Sequence, residues 1–343
     1  MQKIKIAIMG FGGMAASHKA AYDRLARDGA PIELVAVCDK NPKCLESVGT
    51  TNLGTVEVGS FDGITLYTDP DEMLVREELD AVDICLPTFL HKDFTLKFLR
   101  AGKHVLCEKP MALSGDDCIE MVKTAHECGK ELMIGQCLRF DPAYLYLKEL
   151  VDLQTYGKAR RVIMGRYSYM PAWGGWFSDP NKSGGCVVDF HIHDIDMLRF
   201  LFGDPDAVSS IAHDKSTGWQ YVNSRFYYDG MIAEATASFD ESPTTPFSMG
   251  YRVRFDKATV ILDACKVTVY PDEGEPYAPK LPSRDRIADE IGYFASVIIG
   301  KSENTVNPPE SAASSIMLAQ SAAKSSENGG KIIRFERKDY RYE

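Results

Sequence analysis

The chain has 343 residues, 45% of them hydrophobic and 26% charged, an ordinary balance for a globular protein of about two domains. A formal net charge of −10 argues against a nucleic-acid binder, which needs a basic footprint. No apolar run approaches the ~20 residues that span a bilayer. MQKIKIAIMGFGG also lacks the long apolar run and small-residue cleavage site of a signal peptide, so a cytoplasmic protein with no membrane partner is expected.

KIKIAIM (3–9) reads as a compact strand and GGMAASHKAAYDRLARDG (12–29) as a helix stopped by Gly29. IELVAVCD (32–39) is the next strand. Residues 44–64 hold too much Gly and Thr for a helix. DAVDICLP (80–87) is a strand ended by Pro87, and HKDFTLKFLRAG (91–102) a helix ended by Gly102. HVLCEKP (104–110), a helix over 114–129 and ELMIGQ (131–136) complete the series. Short buried strands alternating with helices predict a parallel sheet covered on both faces. The nine cysteines are odd in number, form no Cys-x-x-Cys pair and often lie in apolar runs such as AVDICLP. They read as buried thiols of a reducing compartment, and no metal site is expected.

The second half changes character. Residues 160–170, 207–214, 219–240 and 248–263 are rich in β-branched and aromatic residues, with Asp229-Gly230 marking a hairpin turn. They predict an open, mostly antiparallel sheet in an α+β domain. Helices over 286–300 and 309–329 and a strand at KIIRF (331–335) follow. The expected division is a dinucleotide-binding α/β domain at 1–136 and a substrate-binding and oligomerisation domain at 137–343.

Residues 10–15 read G-F-G-G-M-A. Gly10, Gly12 and Ala15 fill the small-residue positions of a dinucleotide fingerprint, between a strand and a helix. Gly12 lets backbone approach a pyrophosphate at the positive end of the helix. Asp39 ends the second strand, where a carboxylate can bind ribose hydroxyls and repel the 2′-phosphate of NADP. NAD is therefore the expected cofactor. Lys40 could soften the repulsion, which keeps NADP open. A plain βαβ turn with a solvated aspartate carries the same letters.

Taken with this turn, VDICLPTFLH (82–91) and AGKHVLCEKP (101–110) make the chain resemble the Gfo/Idh/MocA oxidoreductases, the family of glucose–fructose oxidoreductase and inositol dehydrogenases. The likeness is strongest over 3–142 and 183–203, and Glu-Lys-Pro is its most specific part. It implies a Rossmann domain, an open-faced sheet domain and an active site between them. Implied cofactor contacts are Gly10, Phe11, Gly12, Gly13, Met14, Asp39, Lys40, Pro87, Thr88, His91, Glu108 and Lys109, with Thr88 standing where relatives more often have Asn. Arg139, in RFDPAY, either reaches a substrate oxygen or fixes the domain junction. A homodimer or homotetramer through the second sheet is also implied.

In GGCVVDFHIHDIDMLRFLFG (184–203), read as an α-helix after Gly185, Asp189 and His193 lie one turn apart, with Asp196 in the same arc. His191 points the other way, along Ile195, Leu198 and Phe202, as a hydrogen-bonded core residue. Asp194 serves structure. The family's Asp-x-x-x-His pair falls on Asp189 and His193. Oxidising a secondary alcohol needs a base, which suits His193, and a cation at the developing alkoxide, which suits Lys109. Asp189 orients substrate or base. In PAWGGWFSDPNKSGG (171–185), Trp173, Trp176 and Tyr169 stack on a sugar or merely pin the loop, and the glycines allow it to move. The expected activity is an NAD(P)-dependent dehydrogenase or reductase acting on a sugar, inositol or related polyol. An NAD-using glycosidase and a non-enzymatic dinucleotide sensor are the alternatives.

Overall fold

The computed structural model describes all residues except 1, 2, 42, 45–48, 52, 53, 57, 172–174, 214, 216, 217 and 337–343. The chain forms two compact units. The first joins 1–112, 116–137 and 285–312; the second joins 113–115, 138–284 and 313–343. One crossing, at 137/138, lies beside the expected boundary. The chain also crosses back into the first unit at 284/285 and leaves it again at 312/313.

In chain order the first part runs β1 (Ile4–Met9), α1 (Gly13–Arg27), β2 (Ile32–Cys38), a small hairpin of β3 (Gly49–Thr51) and β4 (Gly54–Val56), β5 (Thr65–Tyr67) and α2 (Pro70–Arg76). It continues with β6 (Ala81–Ile84), α3 (His91–Arg100), β7 (His104–Glu108), α4 (Gly115–Cys128) and β8 (Leu132–Gly135). The sheet order is β5-β2-β1-β6-β7-β8, with every pairing parallel. That is the doubly wound order with its switch point between β1 and β6. Ile6, Ile8, Val37, Leu106 and Met133 are fully buried, as strands covered on both faces require.

Periodicity assigns no element to 65–76, because a three-residue strand and a seven-residue helix are too short to show a period. The helix signal there is its cap: Asp69 accepts the Asp71 N–H at 2.8 Å and Pro70 opens the first turn.

The second part runs α5 (Pro142–Asp152), β9 (Ala159–Tyr167), α6 (Pro180–Ser183), α7 (Ile192–Phe202), β10 (Ala207–His213), β11 (Tyr221–Tyr228), β12 (Met231–Ser238), β13 (Ser248–Phe255), β14 (Ala258–Asp263) and β15 (Lys266–Pro271). It ends with α8 (Arg286–Ile298), α9 (Pro309–Glu327) and β16 (Ile333–Arg334). α8 packs on α1, with Ile291, Phe294 and Ala295 buried in the core of the first unit. The second sheet has the order β15-β14-β13-β9-β12-β11-β10-β16 and is antiparallel except between β9 and β12. The Asp229-Gly230 turn joins β11 to β12 as expected.

The 184–203 stretch departs from a uniform α-helix. Its first turn, Cys186–Phe190, is a π-turn closed by the His191 N–H on the Cys186 carbonyl at 2.8 Å, and α7 begins after it. One helical wheel therefore does not run through Asp189 and Asp196. Gly185 also has a reason other than mobility. At φ +65°, a Cβ placed there would strike the Gly218 carbonyl, so its backbone is pressed against a neighbouring turn.

His191 is fully buried, with Nε2 3.0 Å from Ser224 Oγ on β11. Burial and the nearby Arg166 cation push its pKa down to about 3. The unfolded chain binds this proton below about pH 6.5 and the folded chain does not. His191 therefore costs nothing above pH 6.5 and erodes stability as pH falls from there toward 3. Its share of the slope is at most about 1.4 kcal/mol per pH unit. Denaturant unfolding at a series of pH values should show a shallower acid slope for His191→Asn than for the unaltered chain; equal slopes would refute the assignment.

Candidate active site

Several expected cofactor residues stand at the carboxyl ends of neighbouring strands in the first sheet. Gly10 leaves β1 at φ +86°, and a Cβ there would meet Leu86 Cδ2 at 2.8 Å and the Cys85 carbonyl at 3.1 Å. Glycine is required at that point by the protein itself. Gly12 differs: its φ is ordinary, and a Cβ built on it meets nothing within 4 Å. It caps α1 with no side-chain acceptor, and the first turn carries no acidic residue. The space beside Gly12 and the N–H groups of the first turn suit a pyrophosphate. Gly13 and Met14 open that turn, half-buried.

Asp39 follows β2, half-buried. Its Oδ2 accepts the Phe11 N–H at 2.7 Å and its Oδ1 the Asn41 N–H at 2.8 Å. The carboxylate is thus fixed beside the glycine turn, with lone pairs left for a ribose diol. Lys40 is exposed. Phe11 contributes only backbone to this arrangement. Its ring is buried in the core, edge-on to Phe61 at 5.3 Å.

Beyond β6 and β7 lie two more expected segments. Thr88 is buried, Pro87 half-buried, and a 3-10 turn at Thr88–Leu90 leads into α3. His91 does not offer its ring to a ligand. It is buried, with Nδ1 2.8 Å from the Pro110 carbonyl and Nε2 2.7 Å from the Leu86 carbonyl. Burial holds its pKa below 6.5 against the pull of both carbonyls. The neutral ring donates to one of these carbonyls and packs against the other, between the loop after β6 and the turn after β7. Glu108 is also turned inward: Oε1 meets His18 Nε2 at 2.9 Å and Oε2 accepts the Lys109 N–H at 3.0 Å. Lys109 is half-buried at the end of that turn.

In the second unit, Asp189 is buried on the π-turn and His193 is half-buried on α7, whereas His191 is in the core. Asp194 pairs with Arg166 of β9 through Nε–Oδ2 at 2.9 Å and Nη2–Oδ1 at 3.0 Å. Asp196 is likewise committed, to Arg139 at 2.8 and 2.7 Å and to Ser315 Oγ at 2.8 Å. It does not belong with Asp189 and His193. Arg139 is 2% exposed, with its guanidinium also 5.1 Å from the Phe200 ring. This geometry favours its role as a fixture over a substrate contact. Trp176 stacks on Phe177 at 3.9 Å, and Tyr169 bridges to Asp240. Trp173 lies outside the described residues.

Two family descriptions match. Residues 4–136 fit the Gfo/Idh/MocA oxidoreductase family, NAD-binding Rossmann fold, and 144–261 fit the Gfo/Idh/MocA C-terminal domain. A 1,5-anhydro-D-fructose reductase of Ensifer adhaerens is 31% identical over 250 residues, 68% of this chain and 73% of that protein. The chain belongs to the Gfo/Idh/MocA family. It binds NAD through its Rossmann unit, and the Gly12 space and the Asp39 carboxylate fit that cofactor. A D-glucoside 3-dehydrogenase of Escherichia coli (strain K12) is 31% identical over 61% of this chain, a match that spans 57% of that relative. The aldose–aldose oxidoreductase of Caulobacter crescentus, solved with glycerol, shares the fold at a TM-score of 0.83 and 22% identity, covering 97% of this chain and all of that one.

Sequence pattern assigns no role to His18, Tyr22 and Asp83, which join Glu108 in one buried hydrogen-bonded set. The signal was present, since an aspartate inside the buried strand AVDIC needs a partner.

The two glycines give a paired test. Gly12→Val should fold with a loss of about 1 kcal/mol or less, the scale of a changed N-cap, and should lose the calorimetric heat of NAD binding. Gly10→Val should unfold at markedly lower denaturant. NAD binding by Gly12→Val at unchanged affinity would rule out the assigned pyrophosphate position. The same titration should rank NAD above NADP; tighter NADP binding would move the decisive role from Asp39 to Lys40.

Proposed function

We propose that this protein is an NAD-dependent dehydrogenase or reductase interconverting a secondary alcohol and a ketone on a sugar, inositol or related polyol. The observation that carries the reading is the alignment of the glycine turn, Asp39 and the Glu-Lys-Pro turn at the carboxyl ends of β1, β2 and β7. Crevices at such strand ends hold ligands in open α/β sheets. The family match and the carbohydrate names of the relatives support the substrate class.

NAD, when bound, supplies the hydride acceptor. The protein's own task is the proton and the charge. His193 takes the hydroxyl proton, an imidazole being suited to neutral pH. The Lys109 ammonium stabilises the oxygen as it becomes an alkoxide. Asp189 orients substrate or His193, and Trp176 offers an aromatic face to the apolar side of a sugar ring. Arg139 holds its place through Asp196 and is assigned a positioning role. We place the enzyme in the cytoplasm, on the strength of its buried thiols at Cys38, Cys107, Cys118 and Cys186. No helix among the described residues is long and apolar enough to cross a membrane. Exposed Ile163 and Ile232 on β9 and β12 support pairing through the open sheet face, as a homodimer or homotetramer.

A panel of polyols and sugars, followed as NADH absorbance, tests the activity; product formation without net NADH would favour a glycosidase. Lys109→Met should cut kcat steeply while NAD still binds. His193→Ala should lower kcat by roughly 10²–10⁴-fold, about 3–5 kcal/mol of barrier, at nearly unchanged stability. His191→Ala should do the reverse, losing on the order of 1–3 kcal/mol of stability with little change in activity per folded molecule. A stable but inactive His191→Ala beside an active His193→Ala would overturn the assignment.

A further inference from the structure

His18 lies on α1 at 0% exposure, between two carboxylates. Its Nδ1 is 2.7 Å from Asp83 Oδ2 on β6, and its Nε2 is 2.9 Å from Glu108 Oε1 at the end of β7. Tyr22, one turn further along α1, donates its hydroxyl to the same Asp83 oxygen at 2.9 Å. The other Glu108 oxygen accepts the Lys109 N–H at 3.0 Å. Gly135, opposite on β8, leaves room for the carboxylate: a Cβ there would stand 3.0 Å from Glu108 Oε1.

An ionised carboxylate only accepts hydrogen bonds. A ring with a carboxylate at each nitrogen is satisfied when both nitrogens carry hydrogen. A neutral ring would aim a lone pair at an anion where no water screens the repulsion. Burial is the largest single influence and pushes the His18 pKa down, but the charge and hydrogen bond of Asp83, together with Cys85, outweigh it, and the pKa is raised well above 6.5. Glu108 is lowered: burial pushes it up, but the bond from His18, the charge on that ring and the nearby Lys109 together overcome it. Lys109, His91, Cys107, Cys85 and Glu290 also face this cluster. Burial, with Asp83 beside Cys85 and Glu108 beside Glu290, raises both the Cys85 thiol and the Glu290 carboxyl, so each stays neutral.

A buried ion set of this kind is no more stabilising than well-packed apolar residues of the same volume. Its geometry is the more informative property. We propose that His18 is a positioning residue for Lys109: donating from both ring nitrogens, it spans Asp83 and Glu108 and fixes the carboxylate that holds the Lys109 backbone. The inference rests on the reading of Lys109 as the group facing the reacting oxygen. His18, Asp83 and Cys85 also offer ligand atoms within 4.8 Å of one another, a grouping that suits a cation. The Glu108 contact on Nε2 and the Tyr22 hydroxyl on the shared Asp83 oxygen favour a proton instead.

Two measurements test this. Nitrogen-15 NMR of the histidine-labelled protein, assigned with a His18 variant or by through-bond transfer, should show one ring that keeps both protons at pH 8. A neutral His18 at that pH, or stoichiometric metal in the purified protein, overturns the proposal. In kinetics, His18→Gln retains a donor near the Nε2 position and His18→Asn one near Nδ1. His18→Asn should lose roughly 10- to 100-fold in kcat, the scale of a displaced reacting group, at unchanged KM for NAD, while His18→Gln stays within about 3-fold. Equal losses, or none, overturn it. Should neither variant fold, the NMR result decides. Lys109→Met separates the two readings: if it remains active, the role given to Lys109 fails whatever His18 does, whereas an inactive Lys109→Met beside a fully active His18→Asn sinks only the positioning role.

Discussion

A charge taken out of water must meet an opposite charge, and the interior of this protein is organised around that requirement. His18 is answered by Asp83 and Glu108, Arg139 by Asp196, and Arg166 by Asp194. Removing one partner from a buried pair costs on the order of 3–5 kcal/mol, so each pair acts as a rigid constraint. In the first unit the constraint joins α1 to β6 and β7. In the second, two arginines grip α7 through Asp194 and Asp196, two residues apart. Two such grips set the rotation of the helix about its axis. His193, the residue before Asp194, is held by the same arrangement.

The location of the cofactor site follows from backbone topology more than from any side chain. Parallel strands end on one edge of the first sheet, and the order β2-β1-β6 parts the connections to either side. The glycine turn and the aspartate are the first residues past their strands, and Glu-Lys-Pro spans the last residue of β7 and the two that follow. Buried groups such as His91, whose ring lies between the Leu86 and Pro110 carbonyls, keep those loop ends in register. Loops carry the chemistry here because rigid strands aim them.

Much of this was legible in the sequence where physics repeats itself. Buried parallel strands show as short apolar runs, and the glycine positions, Asp39 and Glu-Lys-Pro are local in the chain. The assignment of His191 to the core also came from period, and the structure bears it out with the bond to Ser224. What was missed lacks a period or is non-local. A π-turn breaks the 3.6-residue count over Cys186–Phe190. The partners of Arg139 and His18 lie 57 and 65 residues away, beyond any window of sequence pattern. The inward turn of Glu108 was hidden because a Glu-Lys pair at a strand end looks solvated.

The return of 285–312 to the first unit has a consequence for how the chain is made. α8 covers α1, and Ile291 and Phe294 fill the same core as Ile6 and Tyr22. On the ribosome, the six-stranded sheet is complete once β8 emerges, yet one layer is absent until about 150 further residues have been synthesised. At typical elongation rates that interval is on the order of ten to thirty seconds. During it, the face of α1 around Ala21 and Leu25 stands open to water or to a chaperone. The largest segment of the second unit, 138–284, emerges in that same window, and its 313–343 segment follows. The N-terminal unit is thus first to begin and among the last to close.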